Sequence, residues 1–176
     1  MSREIERKWL WDYDKYPDYM NILKELDFIN IKDYYFNDYC RLRNVGNGLW
    51  LITIKSEGDL VREEFEYIID NEQIDFVPVP TLCKKRFIYP YDMFVYEINV
   101  FRDIYVGIDL PLITVELEMD SPSLVLTNIP DFCGQDITFI KEFYGYNLFK
   151  GLKENTNVGK KYSNNVIPFK AIDKQK

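Results

Sequence analysis

The side chains able to do chemistry in this sequence are carboxylates, lysines and arginines, and they recur two residues apart. Glu4, Glu6 and Lys8 form one such row, followed by Arg41 and Arg43, then Thr53 and Lys55. Arg62, Glu64 and Glu66 come next, then Lys84 and Arg86, Glu97 and Asn99, and last Glu116 and Glu118. In an extended strand, residues i and i+2 share a face roughly 6–7 Å apart, so each row is a charged stripe. Between them stand apolar residues: Ile5, Leu42, Ile54, Phe65, Phe87, Ile98 and Leu117. A lone Glu-x-Glu or Lys-x-Arg is usually a solvated strand face. A whole set of rows backed by apolar residues points instead to a sheet that closes, with the charges on a shared interior. Bare buried charge is costly, so such an interior holds water, metal or a charged ligand.

The balance of that interior indicates the ligand. Lys8, Arg41, Arg43, Lys55, Arg62, Lys84 and Arg86 oppose Glu4, Glu6, Glu64, Glu66, Glu97, Glu116 and Glu118, seven bases against seven acids. The net charge of −7 therefore belongs elsewhere on the molecule. Arg41, Arg43, Lys55, Lys84 and Arg86 sit on strands without lining acids, which predicts a basic patch for anionic oxygens and a separate acidic patch. Paired glutamates suit hard divalent cations, and Mg²⁺ or Mn²⁺ takes few carboxylates plus phosphate oxygens. A polyphosphate with its metal would satisfy both patches.

Several alternatives fall away. The chain has no histidine, which removes Ser-His and Cys-His catalysis and the usual zinc ligands. Cys40, Cys83 and Cys133 are widely spaced and read as small wall or core residues. Gly46-Asn47-Gly48 lacks the Lys-Ser/Thr of a phosphate-binding loop and reads as a hairpin turn. The acidic balance disfavours a long nucleic-acid partner. No run approaches the eighteen or so apolar residues of a membrane helix, and no apolar leader follows Met1, so a cytoplasmic protein without a membrane partner is expected.

The elements that must position these rows follow from the same periodicity. Hydrophobic residues make up 47% of the 176 and aromatic residues 16%, with 14 Tyr and 12 Phe, a composition that favours strands. Strands are predicted over 3–11, 31–43, 49–55, 61–69, 82–90, 93–102 and 111–119, seven or eight in all. Helices are predicted over 14–28, 71–77 (closed by Pro78 and Pro80) and 138–152, the last with Ile140, Phe143, Leu148 and Phe149 on one face. Residues 121–130 read as short helix or irregular chain, and Gly107 as a turn. Tight turns between successive strands imply antiparallel pairing, hence an α+β domain over 1–153 with a polar tail over 154–176.

These rows resemble the CYTH family, also called triphosphate tunnel metalloenzymes. Its hallmark Glu-x-Glu-x-Lys is matched by Glu4-Ile5-Glu6-Arg7-Lys8. The likeness continues in order through Arg41-Leu42-Arg43, Thr53-Ile54-Lys55, Arg62-Glu63-Glu64-Phe65-Glu66, Lys84-Lys85-Arg86, Tyr96-Glu97-Ile98-Asn99 and Val115-Glu116-Leu117-Glu118. Pro130, Gly134, Asp136-Ile137-Thr138 and Tyr146-Asn147 are similar to the C-terminal segment of bacterial members. The resemblance implies an eight-stranded antiparallel β-barrel tunnel with peripheral helices, open at both ends, that uses a divalent metal. Its implied substrates are inorganic triphosphate, nucleoside or thiamine triphosphate, or RNA 5′-triphosphate ends, and some members are adenylyl cyclases. On that pattern Glu4, Glu6, Glu116 and Glu118 hold metal, and the seven bases grip phosphate. Lys8, Glu64 and Glu66 are the catalytic candidates, and Glu97 and Asn99 are second-metal or water contacts. Many bacterial members carry Asp where this chain has Asn99, which puts turnover in question more than binding. The expected activity is metal-dependent hydrolysis of a small triphosphate, inorganic triphosphate first. A sequestering protein with little turnover and a cyclase are the alternatives, and oligomeric state is left open, a homodimer included.

Overall fold

In the computed structural model of the protein, residues 2–46, 48–58, 60–70, 81–106 and 109–157 are described. Nine strands occur in chain order: β1 Ser2–Trp11, β2 Phe28–Asn37, β3 Cys40–Asn44, β4 Trp50–Lys55 and β5 Val61–Ile69, then β6 Leu82–Tyr91, β7 Phe94–Tyr105, β8 Pro111–Glu118 and β9 Cys133–Asp136. Two α-helices, α1 Met20–Leu23 and α2 Gly145–Asn157, and a 3-10 helix at Lys141–Phe143 complete the described elements.

The order of hydrogen-bonded neighbours is β5-β4-β3-β2-β6-β7-β8-β1-β9, with a further β5–β1 pairing. That last pairing, Glu4 opposite Arg62 and Ile5 opposite Val61, closes eight antiparallel strands into a barrel. β9 lies outside the ring on β1, which it joins through Trp9–Asp136 and Trp11–Cys133. Closure removes the open edges that an exposed sheet would carry.

Strand alternation divides the barrel into two environments. Ile5, Trp9, Trp11, Phe87, Tyr96, Ile98, Val115 and Leu117 point outward from β1, β6, β7 and β8 and are buried under residues such as Leu23 and Phe132. Trp11 stacks on Phe132 at 4.7 Å and donates its indole N–H to the Tyr16 carbonyl at 2.9 Å. A second apolar cluster is built on the inward rows. Leu82, Phe101 and Leu112 continue the lumen faces of β6, β7 and β8, and meet Ile137, Ile140, Phe143, Leu148 and Phe149. The 3-10 helix and α2 therefore pack against this part of the barrel.

Several sequence expectations are corrected. The predicted strand 31–43 is two, because the chain reverses at Asp38-Tyr39, where the Tyr39 N–H bonds the Asn37 side chain at 2.8 Å. The predicted helix 14–28 shrinks to one turn. Asp12 binds the Lys15 N–H in a turn, Pro17 lacks a donor, and Phe28 is already paired with Phe87 in the sheet. The predicted helix 138–152 starts late, since the Thr138 hydroxyl and N–H are bonded to Asp136. Its apolar face was placed correctly, but on a 3-10 helix followed by α2. The β3–β4 hairpin is confirmed, with Gly46 and Gly48 at φ of 80° and 78°, a region in which a side chain is strained. The predicted helix 71–77, Pro78 and Pro80, the Gly107 turn and the chain beyond 157 lie outside the described residues.

The wall between lumen and outer core sets the stability. Leu117 is 1% exposed at its centre, and trimming it to alanine would remove apolar contact and leave a cavity. Leu117→Ala is expected to destabilise the fold by about 2–5 kcal/mol. Urea denaturation measures this, and a loss near zero would show that the outer core is not as tightly packed as described.

Candidate functional site

The inward faces enclose a cavity of about 990 Å³. All seven predicted bases and all seven predicted acids line it, as does Thr53. Asn99 does not. It is fully buried in the wall, where its carbonyl oxygen accepts the Arg86 Nε–H at 2.8 Å. Its amide nitrogen is buried without a hydrogen-bond partner among the described residues.

Register decides how the charges meet. Glu4 lies opposite Arg62, Lys8 opposite Glu116, and Lys55 opposite Glu64. Lys8 reaches Glu116 at 2.9 Å and Glu6 at 3.2 Å. Lys55 reaches Glu4 at 2.7 Å and Glu64 at 2.8 Å, and Arg62 reaches Glu4 at 3.2 Å. Arg86 binds Glu97 at 2.5 Å and Glu116 at 3.0 Å, while Arg41 stands 3.9 Å from both Glu64 and Glu66. The predicted separation into a basic and an acidic patch is thus corrected. Acids and bases segregate along the chain, but antiparallel pairing interleaves them across the lumen.

One group of each sign is left over. Among the described residues, Lys84 is the only one of the seven bases with no carboxylate in ion-pair reach, and Glu118 is the only one of the seven acids with no base in reach. Lys84 is 8% exposed, with its ammonium 5.5 Å from the centre of the Phe101 ring. Burial, with Arg86 and Arg43 nearby, pulls its pKa down to about 7, against the opposing pull of Glu116 and Asp33. Glu118 is pushed the other way: burial raises its pKa, and so does repulsion from Glu4, Glu64, Glu97 and Glu6. Glu116 is held well below the usual carboxylate range, because Lys8, Lys84 and Arg86 outweigh its burial. Lys8 is correspondingly raised by Glu116 and Glu6 in spite of its own burial.

No protein-family model matches the sequence, and neither does any curated protein. Solved structures do. The inorganic triphosphatase NE1496 is 26% identical over 85% of this chain and 95% of that one, with a TM-score of 0.52. A second crystal structure of NE1496 gives 26% identity over 83% and 97%, also at 0.52. A looser likeness to bh2851 from Bacillus halodurans has 15% identity over 69% and 83%, with a TM-score of 0.46. The NE1496 likeness spans nearly that whole protein, and it accompanies a closed eight-stranded barrel whose inward rows are those of the CYTH pattern. In fold and in its inward rows the chain is similar to the CYTH family.

A CYTH tunnel is expected to hold a divalent metal, and the donors here fit one. Glu6 lies directly opposite Glu118, and Glu97 directly opposite Glu116. Like charges directly opposite one another destabilise a sheet. Lys8 and Arg86 relieve the Glu97–Glu116 pair, whereas Glu118 has no such partner. The crowding of Glu4, Glu6 and Glu118 is what a hard cation would relieve. No three acidic or thiol groups among the described residues already enclose a metal site, so an ion there would take few carboxylates and other oxygen ligands.

Several residues of the site were absent from the charged rows of the sequence. Tyr35 lines the cavity from β2, and Asp33, on the same face, lies behind it opposite Arg43. Lys141, Tyr144, Tyr146 and Asn147 reach the cavity from the 3-10 helix and the first turn of α2. A Cβ at Gly145 would collide with the Tyr35 hydroxyl, so a side chain there would displace that ring. None of the three cysteines is in a disulfide; Cys40 lines the cavity, and burial pushes the Cys133 thiol up to about 12.

Lys84 makes stability depend on pH in a predictable direction. Its folded pKa lies below its unfolded value near 10.5, so the unfolded chain binds the extra proton between these limits and stability rises with pH through that window. Lys84→Met is expected to stabilise the ligand-free protein near pH 6–7, with the advantage fading as pH approaches 10. Denaturation of both proteins across that range checks it, and a pH-independent difference would contradict it.

Proposed function

We propose that the protein hydrolyses the phosphoanhydride bond of a small triphosphate, inorganic triphosphate first, with Mg²⁺ or Mn²⁺. The observation that carries this reading is the pairing of the lumen. Five bases are paired with six lining glutamates and Arg43 with Asp33, leaving Lys84 for an anion and Glu118 for a cation. A metal–triphosphate complex supplies both. The likeness to an inorganic triphosphatase along nearly its whole length supports the same reading.

In this reading Glu4, Glu6 and Glu118 hold the metal, with Glu116 tied to Lys8 and Arg86. When bound, the metal would draw charge from the phosphate oxygens and stabilise the departing one. Arg41, Arg43, Lys55, Arg62, Lys84 and Arg86 line the cavity and hold phosphate oxygens in place, and Lys8 sits beside the scissile or terminal phosphoryl group. Such groups act by positioning and electrostatics, with no covalent intermediate on the protein. Glu64 and Glu66, on one face of β5, orient the attacking water, and Glu97 contributes a further water or metal contact. The closed wall of strands keeps bulk water from the paired charges, which strengthens their hold on the ligand.

Purified protein with Mg²⁺ or Mn²⁺ is expected to release phosphate from tripolyphosphate faster than from ATP, GTP or thiamine triphosphate, and to stop when a chelator is added. Glu118→Gln should raise the metal concentration needed for half-maximal rate by about tenfold or more, equivalent to about 1.4 kcal/mol. Absence of phosphate release from all four substrates with either metal would overturn the reading.

A further inference from the structure

Asp33 is fully buried, carries a negative charge and lies outside the charged rows legible in the sequence. It sits on β2 directly opposite Arg43 on β3. Its two carboxylate oxygens accept the Arg43 Nε–H at 2.7 Å and an Nη2–H at 2.9 Å, the two-point geometry that fixes a guanidinium plane. Asp33 does not line the cavity, whereas Arg43 does. The carboxylate therefore grips the guanidinium from behind. A guanidinium has five N–H donors, so three remain for the cavity side. Arg41, Arg43 and Lys84 all stand close enough to Asp33 to hold its carboxyl well below the usual range despite burial, yet only Arg43 is bound at two points.

This sets Arg43 apart from the other bases. Lys8, Arg41, Lys55, Arg62 and Arg86 pair with acids that themselves line the cavity, and those pairs can rearrange around a ligand. Arg43 cannot follow a ligand without abandoning a carboxylate that has no route to solvent. Leaving either partner alone would strand a buried charge.

We propose that Asp33 is a positioning residue: it locks Arg43 as a fixed donor against which the phosphate chain is aligned, and cancels Arg43's charge so that the contact supplies direction more than ground-state attraction. The proposal rests on the triphosphate reading of the cavity. With Asp33→Asn the shape is kept and one oxygen still accepts a bond, but the charge and the two-point grip are lost. The cavity gains one net positive charge and Arg43 becomes free to turn.

Steady-state kinetics with metal and tripolyphosphate, together with calorimetric Kd values, test it. Asp33→Asn is expected to lower kcat about tenfold while KM stays equal or falls, and Asp33→Glu, which keeps the charge, should recover part of the loss. A purely structural role would reduce active protein and Tm with KM and per-site kcat unchanged, and that result overturns the proposal. The double variant Asp33→Asn/Arg43→Gln removes both buried charges and guards against misfolding of the single variant. If Asp33 acts through Arg43, the double variant matches Arg43→Gln alone; additive losses overturn the proposal. If the unmodified protein binds tripolyphosphate without turnover, the triphosphatase reading fails, while the same non-additivity read in Kd still decides the role of Asp33.

Discussion

A closed barrel that turns charge inward must neutralise that charge across its own diameter and along its own ladders. In this protein the β1–β5 pairing that closes the ring brings Glu4 opposite Arg62. From Glu4 the network extends through Lys55 to Glu64, and on the other side of β1 Lys8 ties Glu6 to Glu116 and so to Arg86 and Glu97. A slip of one residue in any of these strands would send its charges into the outer core and its apolar residues into the lumen. Register, charge pairing and closure are one constraint.

Ion pairs of this kind do not make the fold stable, since removing charges from water costs about as much as their attraction returns. Stability must come from the apolar surfaces on either side of the charged belt. Outside the wall, Trp9, Tyr96, Ile98, Val115 and Leu117 are covered by the chain around α1 and by Phe132. At one end, Leu82, Phe101 and Leu112 are covered by α2 and the 3-10 helix. The same packing bears on chemistry. Lys84 is pressed against Phe101 at the border between the apolar plug and the charged belt, and its position away from solvent makes its positive charge costly in the absence of an anion. Glu118, crowded by four other glutamates, is the complementary case. A ligand carrying both charges would relieve both groups.

Much of this was legible in the sequence because a period of two leaves a plain record. Glu4-x-Glu6-x-Lys8 and Glu116-x-Glu118 mark lumen faces without reference to any other strand, and the alternate residues Ile5 and Leu117 mark the wall. The pairing of those faces was not legible. Whether Lys55 meets Glu64 or a distant acid depends on register, which is set by hairpins and closure rather than by the strand itself. Hence the expected acidic and basic patches proved to be interleaved. Asp33 stands alone rather than in a charged row: its neighbour on the same face is Tyr35, and only the β2–β3 pairing brings it opposite Arg43. The helical segments were less legible still. The Leu23–Leu26 spacing suggests a helix, but Phe28 is claimed by pairing with β6, and tertiary contacts override weak local propensity.

Under the proposed function the lumen takes a metal and a phosphate chain together, and neither alone. Calorimetric titration of tripolyphosphate into the protein, with Mg²⁺ or Mn²⁺ present and again after chelation, tests it without requiring turnover. Measurable binding with the metal is expected, with a loss of at least about tenfold, or 1.4 kcal/mol, without it. Equal affinity in chelator, or no binding in either condition, would contradict it.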